Sequence, residues 1–250
     1  MNVTTREPWF PHQRLEAPLP AVRLFCVPHG GAGGSAFRSW QGRVGDRAEV
    51  VPVQLPGRDI RLSEPAEPSV TGLAERLAGP VGDRADGLPY VLFGHSMGAL
   101  LVYELGLMLQ SAPHPPSALV VSGSVPPHIS RRTAPMHTLP DDEFLKRLGM
   151  LGGIPDELLT NEEWQDLFLP GLRTDFEAAE TYRPQDSLLS GIPLIALGGR
   201  DDPAAPPADV ERWRELAADV TVRIFDGDHF FVFTSEEQVL PFLTATCLAV

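Results

Sequence analysis

Short apolar runs recur along the chain, and each is rich in Val, Ile, Leu or Phe. Such runs are typical of parallel strands that are buried on both faces of a sheet. They lie at 22–27, 50–54, 90–93, 118–122, 194–197 and 220–225. Segments with helical periodicity lie at 69–84, 97–110, 207–218 and 236–248. This alternation predicts an α/β fold, with a mostly parallel central sheet flanked by helices.

The interval between the fourth and fifth runs, from Ser122 to Leu194, is far longer than an ordinary connection between a strand and a helix. Residues 141–148 and 162–182 in this interval have helical periodicity. We therefore expect one domain spanning 1–250, with a helical lid insertion at 126–185 over the active site. The alternative is a helical hairpin that only thickens the core.

Composition narrows the class of protein. A chain of 250 residues with 43% apolar content and no linker tract suits a single core. It contains neither an apolar leader nor a run of the ~20 apolar residues that a membrane span requires, so we expect a cytoplasmic protein. The net charge of −13 argues against nucleic acid or an anionic membrane as a partner. Cys26 and Cys247 have neither metal-site nor disulfide spacing, so no metal is expected.

The motif G-x-S-x-G occurs at Gly94–Gly98, between the third predicted strand and a strongly helical segment. In that context the motif predicts a nucleophile elbow. The two glycines allow a sharp turn and close packing, and Ser96 presents its hydroxyl at the start of the helix. Together with the alternating strands and helices, this motif predicts the α/β-hydrolase fold.

A serine nucleophile needs a histidine base and a carboxylate that orients it, and in this fold the chain order is serine, acid, histidine. Among the histidines after Ser96, only His229 follows the last predicted strand. The acid is expected after the fifth strand, where Asp201 and Asp202 are adjacent. We predict Asp201, because Asp202 precedes a proline and suits a turn position. Asp202 remains the alternative.

A tetrahedral oxyanion requires two hydrogen-bond donors. One is predicted to be the backbone N–H of Met97, the residue after the nucleophile. The other should come from the glycine-rich loop after the first strand, where we predict Gly30, with Gly31 as the alternative. A phosphate-binding loop would end in G-K-[ST] or show G-x-G-x-x-G phasing, and this loop does neither.

With these residues in place, the sequence resembles the stand-alone type II thioesterases that accompany modular polyketide synthases and nonribosomal peptide synthetases. The resemblance spans nearly the whole chain. It rests on PHGG (28–31), Trp40, QLPGR (54–58), FGHSMGA (93–99), LGMLGGIP (148–155), LPGLRTDF (169–176), ETY (180–182) and DHF (228–230). The family usually has alanine where Gly30 stands, which bears on the second oxyanion donor.

The resemblance implies an editing thioesterase that removes aberrant or stalled acyl groups from the phosphopantetheine arm of acyl or peptidyl carrier proteins. The arm belongs to the substrate, so no cofactor is expected, and we expect a monomer. Arg131 and Arg132 are candidates for contact with the carrier. Two alternatives stay open: a carboxylesterase or lipase that acts on small oxygen esters, and a binding protein of the same fold without catalysis.

Overall fold

The computed structural model describes residues 8–11, 20–45, 47–129, 134–152, 156–184 and 188–248. Within these residues, six strands form one sheet in the order β2-β1-β3-β4-β5-β6, and every pairing is parallel. The strands are β1 (Val22–Val27), β2 (Ala48–Pro52), β3 (Tyr90–His95), β4 (Ala118–Ser122), β5 (Leu194–Gly199) and β6 (Val220–Phe225). The predicted fold class is confirmed.

Burial along the strands follows their place in the sheet. Every residue of β1, β3, β4 and β5 is buried, as expected for central strands covered on both faces. In the edge strand β6, exposed and partly buried residues alternate. The structure places β2 two residues earlier than the sequence pattern did, and it extends β3 and β5 by two residues each to the turns that precede the site.

Eight α-helices lie among the described residues. They are α1 (Val70–Ala85), α2 (Met97–Leu109), α3 (Asp141–Leu151), α4 (Asp156–Thr160), α5 (Glu162–Thr181), α6 (Pro207–Val210), α7 (Phe231–Thr234) and α8 (Glu236–Cys247). The single helix predicted at 207–218 is instead the short α6 followed by a 3₁₀ turn, Glu211–Glu215. That turn buries Trp213 against Tyr103, with a ring separation of 5.2 Å, and the Trp213 indole donates to Ser124 O at 2.8 Å.

Apolar side chains cover both faces of the sheet. On one face, α1 and α2 pack against β1 and β3 through residues such as Leu77 and Leu101. On the other, α8 and the 3₁₀ helix Gly34–Trp40 contribute Leu243 and Trp40. Both sides of the sheet are therefore closed to water, which leaves the carboxyl ends of the strands as the place for a site.

The long interval between β4 and β5 contains α3, α4 and α5, so the predicted helical content is confirmed there. These helices share a small apolar cluster of their own. Its buried members are Phe144, Leu148, Leu158, Leu169 and Leu172. The insertion therefore has a small core of its own, and its last helix, α5, also contacts α2.

Candidate functional site

Ser96 occupies the sharp turn between β3 and α2. Its backbone has φ 56° and ψ −116°, a conformation that residues with a side chain rarely adopt. A hydrogen bond from Ser96 N–H to Ser122 O, at 2.8 Å, attaches the turn to β4. Strain of this kind persists only where the surroundings enforce it, and it is common at catalytic residues.

The glycines on either side of Ser96 are required by close packing. A Cβ atom at Gly94 would lie 2.0 Å from Gly98 O, and one at Gly98 would lie 2.4 Å from Val27 O. Both distances are far shorter than a van der Waals contact. The structure therefore supports the interpretation of G-x-S-x-G as an elbow that brings the helix against β1.

His229 lies in the loop after β6, and its Nδ1 is 2.8 Å from Oδ2 of Asp202. Both side chains are buried. Because a carboxylate only accepts hydrogen bonds, Nδ1 carries the proton in the neutral ring and Nε2 is left as an acceptor. The prediction that Asp201 makes this contact is wrong, since Asp201 is exposed.

The turn after β5 explains why Asp202 contacts the histidine. Oδ1 of Asp202 accepts from Ala204 N–H at 2.8 Å and from Ala205 N–H at 3.1 Å, while Oδ2 remains for His229. Asp202 is thus a turn residue, as the following proline suggested, and it binds the histidine as well. The two roles are compatible, because a carboxylate has two oxygens and each can accept a different donor.

A cavity of about 650 Å³ opens beside these residues. Ser96, Met97, His229 and Gly30 all line it. The structure therefore brings together four of the five predicted site residues and leaves Asp201 outside. The opposite side of the cavity is lined by the insertion, including Met150, Trp164 and Phe168.

The predicted oxyanion donors can be judged by whether their backbone N–H groups already have hydrogen-bond partners. Met97 is the first residue of α2, so its N–H has no partner within the helix. In the glycine loop, Gly31 N–H donates to Asp175 Oδ2 at 2.6 Å, which commits that amide to another acceptor. Of the two glycines considered, Gly30 remains the candidate.

Two further histidines, to which the sequence assigned no role, lie near His229: His95 packs against it, and His29 packs against His95. The His95 ring is 5.1 Å from the His229 ring and 5.9 Å from the His29 ring. Burial, followed by the charges of His229 and Arg58, lowers the pKa of His29 to about 4. Burial also lowers the pKa of His95 well below its usual value, and the charges of His229 and His29 act in the same direction.

At neutral pH both rings are therefore uncharged, and they do not oppose a positive charge on His229. Their position inside the two glycine motifs, one residue before Gly30 and one before Ser96, was the available signal. Outside this cluster, His128 pairs with Glu215 and His137 pairs with Glu180.

Over the part of the chain that the structure describes, no group of three or more His, Cys, Asp or Glu side chains is able to hold a metal ion. Within the same residues, no helix is long and apolar enough to cross a membrane. Burial raises the pKa of the Cys26 thiol, and it raises that of Cys247 to about 12, so neither thiol ionises at neutral pH.

A parallel sheet covered on both faces, with a strained serine between β3 and α2, defines an α/β hydrolase. A family model described as "Thioesterase domain" matches residues 22–247. The chain therefore belongs to the thioesterase family. The match includes all six strands and every site residue discussed above.

Relatives place the chain more closely within that family. The gramicidin S biosynthesis protein GrsT of Aneurinibacillus migulanus is 32% identical over 237 residues, which cover 94% of this chain and 92% of GrsT. The type II thioesterase BorB from the borrelidin biosynthetic cluster superposes with a TM-score of 0.85 at 33% identity, covering 97% of this chain and 98% of BorB.

The type II thioesterase YbtT, from the yersiniabactin nonribosomal peptide and polyketide pathway, has a TM-score of 0.82 at 32% identity. That match covers 92% of this chain and 95% of YbtT. The resemblance to type II thioesterases found in the sequence is confirmed.

Proposed function

We propose that this protein hydrolyses aberrant or stalled acyl groups from the phosphopantetheine arm of acyl or peptidyl carrier proteins, through an acyl-enzyme on Ser96. The observation that carries the proposal is the arrangement at one end of the sheet. The strained Ser96 and a buried His229 paired with Asp202 line the same cavity. The family match supports thioester hydrolysis as the reaction.

In the first half of the reaction, Ser96 Oγ attacks the thioester carbonyl carbon while His229 Nε2 accepts the hydroxyl proton. Asp202 holds Nδ1–H and stabilises the imidazolium that forms. The N–H groups of Met97 and Gly30 donate to the oxyanion of the tetrahedral intermediate. When the C–S bond breaks, the sulfur takes the proton from His229 and leaves as the free thiol of the arm.

In the second half, His229 accepts a proton from water, which attacks the acyl-enzyme carbonyl. The second tetrahedral intermediate uses the same two donors. It collapses with return of the proton to Ser96 Oγ and release of a carboxylic acid. The uncharged His29 and His95 rings do not oppose the positive charge that His229 carries in each half.

The insertion, 126–185, is proposed to act as a lid within a single domain spanning 1–250. Support comes from the side chains that it contributes to the cavity: Met150 is 74% exposed and Trp164 is 40% exposed. Apolar side chains that are open to water at a cavity mouth suit an acyl chain that enters and leaves. The candidate carrier contacts Arg131 and Arg132 lie outside the described residues.

The relatives support the choice of substrate, because YbtT is named for a pathway of nonribosomal peptide and polyketide synthesis. A carrier-bound thioester would reach this site from such a pathway. A monomeric and cytoplasmic protein remains part of the proposal.

The test is a steady-state comparison of acetyl and propionyl groups carried on a carrier protein, on coenzyme A and on N-acetylcysteamine. We expect kcat/KM to be at least tenfold higher on the carrier, because remote contacts can orient the carbonyl against Ser96. Ser96→Ala should abolish turnover of all three substrates. His128→Gln, a substitution at an exposed position, is the control and should leave turnover unchanged. Equal or better efficiency with N-acetylcysteamine would favour a general carboxylesterase.

A further inference from the structure

The QLPGR segment, Gln54–Arg58, contacts the glycine loop at its far end. Gln54 is fully buried, and its Oε1 accepts from Gly34 N–H at 3.0 Å. Its amide nitrogen donates to Arg58 O at 3.0 Å, which closes the segment on itself. The loop that carries the predicted oxyanion donor is therefore fixed at Gly34 by a buried side chain from the sheet edge.

A second contact reaches the glycine loop from the insertion. The Arg58 guanidinium pairs with both oxygens of Asp175, on α5, and the bond from Nη2 to Oδ1 is 2.6 Å. The two side chains are 6% and 0% exposed. The same Oδ2 that faces Arg58 Nη1 accepts from Gly31 N–H at 2.6 Å. Helix α5 is thus hydrogen-bonded directly to the loop.

This ion pair is poorly explained by stability alone. Taking both charges out of water is costly, and burial raises the pKa of the Asp175 carboxyl against the opposing effects of Arg58 and Gly31 N–H. Buried ion pairs can often be replaced by apolar side chains of similar volume without loss of stability. What an apolar pair could not supply is an acceptor for the Gly31 amide.

We propose that Asp175, held by Arg58, is a positioning residue that sets the glycine loop so that Gly30 N–H points at the oxyanion. The inference rests on the proposed thioester hydrolysis and adds to it a link between the insertion and the oxyanion hole. Asp175 does not touch the reacting atoms in this scheme. It acts through the Gly31 amide.

The local geometry shows how the contact acts on Gly30. The loop is fixed just after Gly30 by the bond from Gly31 N–H to Asp175, and just before it by the bond from Ala32 N–H to His29 O at 3.2 Å. Oxyanion donors work only at about 2.7–3.1 Å from the developing charge. A shift of the Gly30 amide by a fraction of an ångström would therefore lower the rate of the chemical step and leave ground-state binding intact.

The experiment compares Asp175→Leu, which removes the acceptor, and the double variant Arg58→Leu/Asp175→Leu with the wild type. The double variant leaves no unpaired buried charge, so it should fold even if the single variant does not. Glu177→Gln, at an exposed position on the same helix, is the matched control. Measurements are Tm, kcat and KM on acetyl carrier protein, and the Ki of a trifluoromethyl ketone that forms a tetrahedral adduct.

In the double variant we expect kcat to fall about 100-fold, the size expected for loss of one oxyanion donor, while KM stays within threefold. The Ki of the ketone should rise by about the same factor as kcat falls. A folded double variant whose kcat falls less than tenfold would overturn the proposal, as would a loss confined to KM. If the wild type itself fails to hydrolyse the thioester, the proposed function fails, and this outcome is separate from any variant result.

Discussion

The cavity has two walls of different construction. One wall is formed by the loops that follow β1, β3, β5 and β6, and it contains buried hydrogen-bonded groups such as the pair of His229 and Asp202. The other wall is formed by the insertion, where Met150 and Trp164 line the cavity while remaining open to water. The first wall holds atoms in fixed positions, and the second presents apolar surface.

Helix α5 belongs to both walls. Its first turns carry Trp164, 40% exposed, and Leu167, 52% exposed. Its last turns carry Asp175 and Glu180, both buried and both hydrogen-bonded to other segments. We therefore expect changes in the wall formed by the strand loops, the fixed wall, to alter chemistry or stability. Changes in the wall formed by the insertion, the open wall, should alter only the choice of acyl group.

The largest expected effect concerns the carboxylate of the fixed wall. Asp202→Asn should lower kcat on the order of 10³-fold or more, because the imidazole loses the acceptor that sets its tautomer. Asp201→Asn is the matched control and should stay within about threefold, since Asp201 is exposed. Steady-state kinetics on one acyl carrier substrate measure both. Equal losses in the two variants would contradict the assignment drawn from the hydrogen bond.

A second effect in the fixed wall is a loss of folding stability at acidic pH. The pKa of His29 is lowered to about 4, so below its ordinary pKa near 6.5 the unfolded chain binds a proton that the folded chain does not. Stability should therefore fall as the pH drops from 6.5 toward 4 and level off below that. Between pH 7 and pH 5 the contribution of His29 to the loss is about 2 kcal/mol.

Urea unfolding at the two pH values checks this prediction in wild type and His29→Asn. The variant should lose less stability on acidification. His95, whose pKa is shifted in the same direction, is present in both proteins and cancels in the difference. The same loss in both proteins would show that His29 is protonated in the folded state.

The contact that fixes the end of α5 should be measurable as stability. The Glu180 carboxylate accepts from Met136 N–H at 2.8 Å, from His137 N–H at 3.1 Å and from His137 Nδ1 at 2.6 Å. Glu180→Gln should lower the free energy of unfolding by about 1–2 kcal/mol, because an amide nitrogen replaces one accepting oxygen. The exposed Glu177→Gln should change it by less than about 0.5 kcal/mol. Urea denaturation midpoints, compared at an unchanged m-value, distinguish the two variants.

The smallest effect is expected in the open wall. Trp164→Ala should leave Tm and acetyl turnover nearly unchanged and lower kcat/KM for an octanoyl carrier substrate roughly fivefold, since partial loss of apolar contact is worth about 1 kcal/mol. The ratio of octanoyl to acetyl efficiency is the quantity to measure. A fall of the same size for both acyl groups would show that Trp164 supports the fixed wall instead.

Much of the fold followed from local pattern. The predicted strands at 22–27, 118–122 and 220–225 have the same bounds as β1, β4 and β6. For β1 and β4 the reason is that a continuous apolar run leaves a buried parallel strand few other places to begin or end. The prediction of one helix at 207–218 was wrong. Trp213 packs against Tyr103, a residue remote in sequence, and local periodicity does not report that contact.

The α/β alternation, the serine elbow and the one histidine after the last strand can be recognised in the sequence, because each depends on neighbouring residues and on chain order. The tertiary structure decided between Asp201 and Asp202, paired Arg58 with Asp175 across 117 positions, and placed two uncharged histidines beside His229. These outcomes depend on where separate loops cross and on how deeply the side chains are buried. Local sequence patterns encode neither the crossing of loops nor the depth of burial, because both are set by elements far apart along the chain.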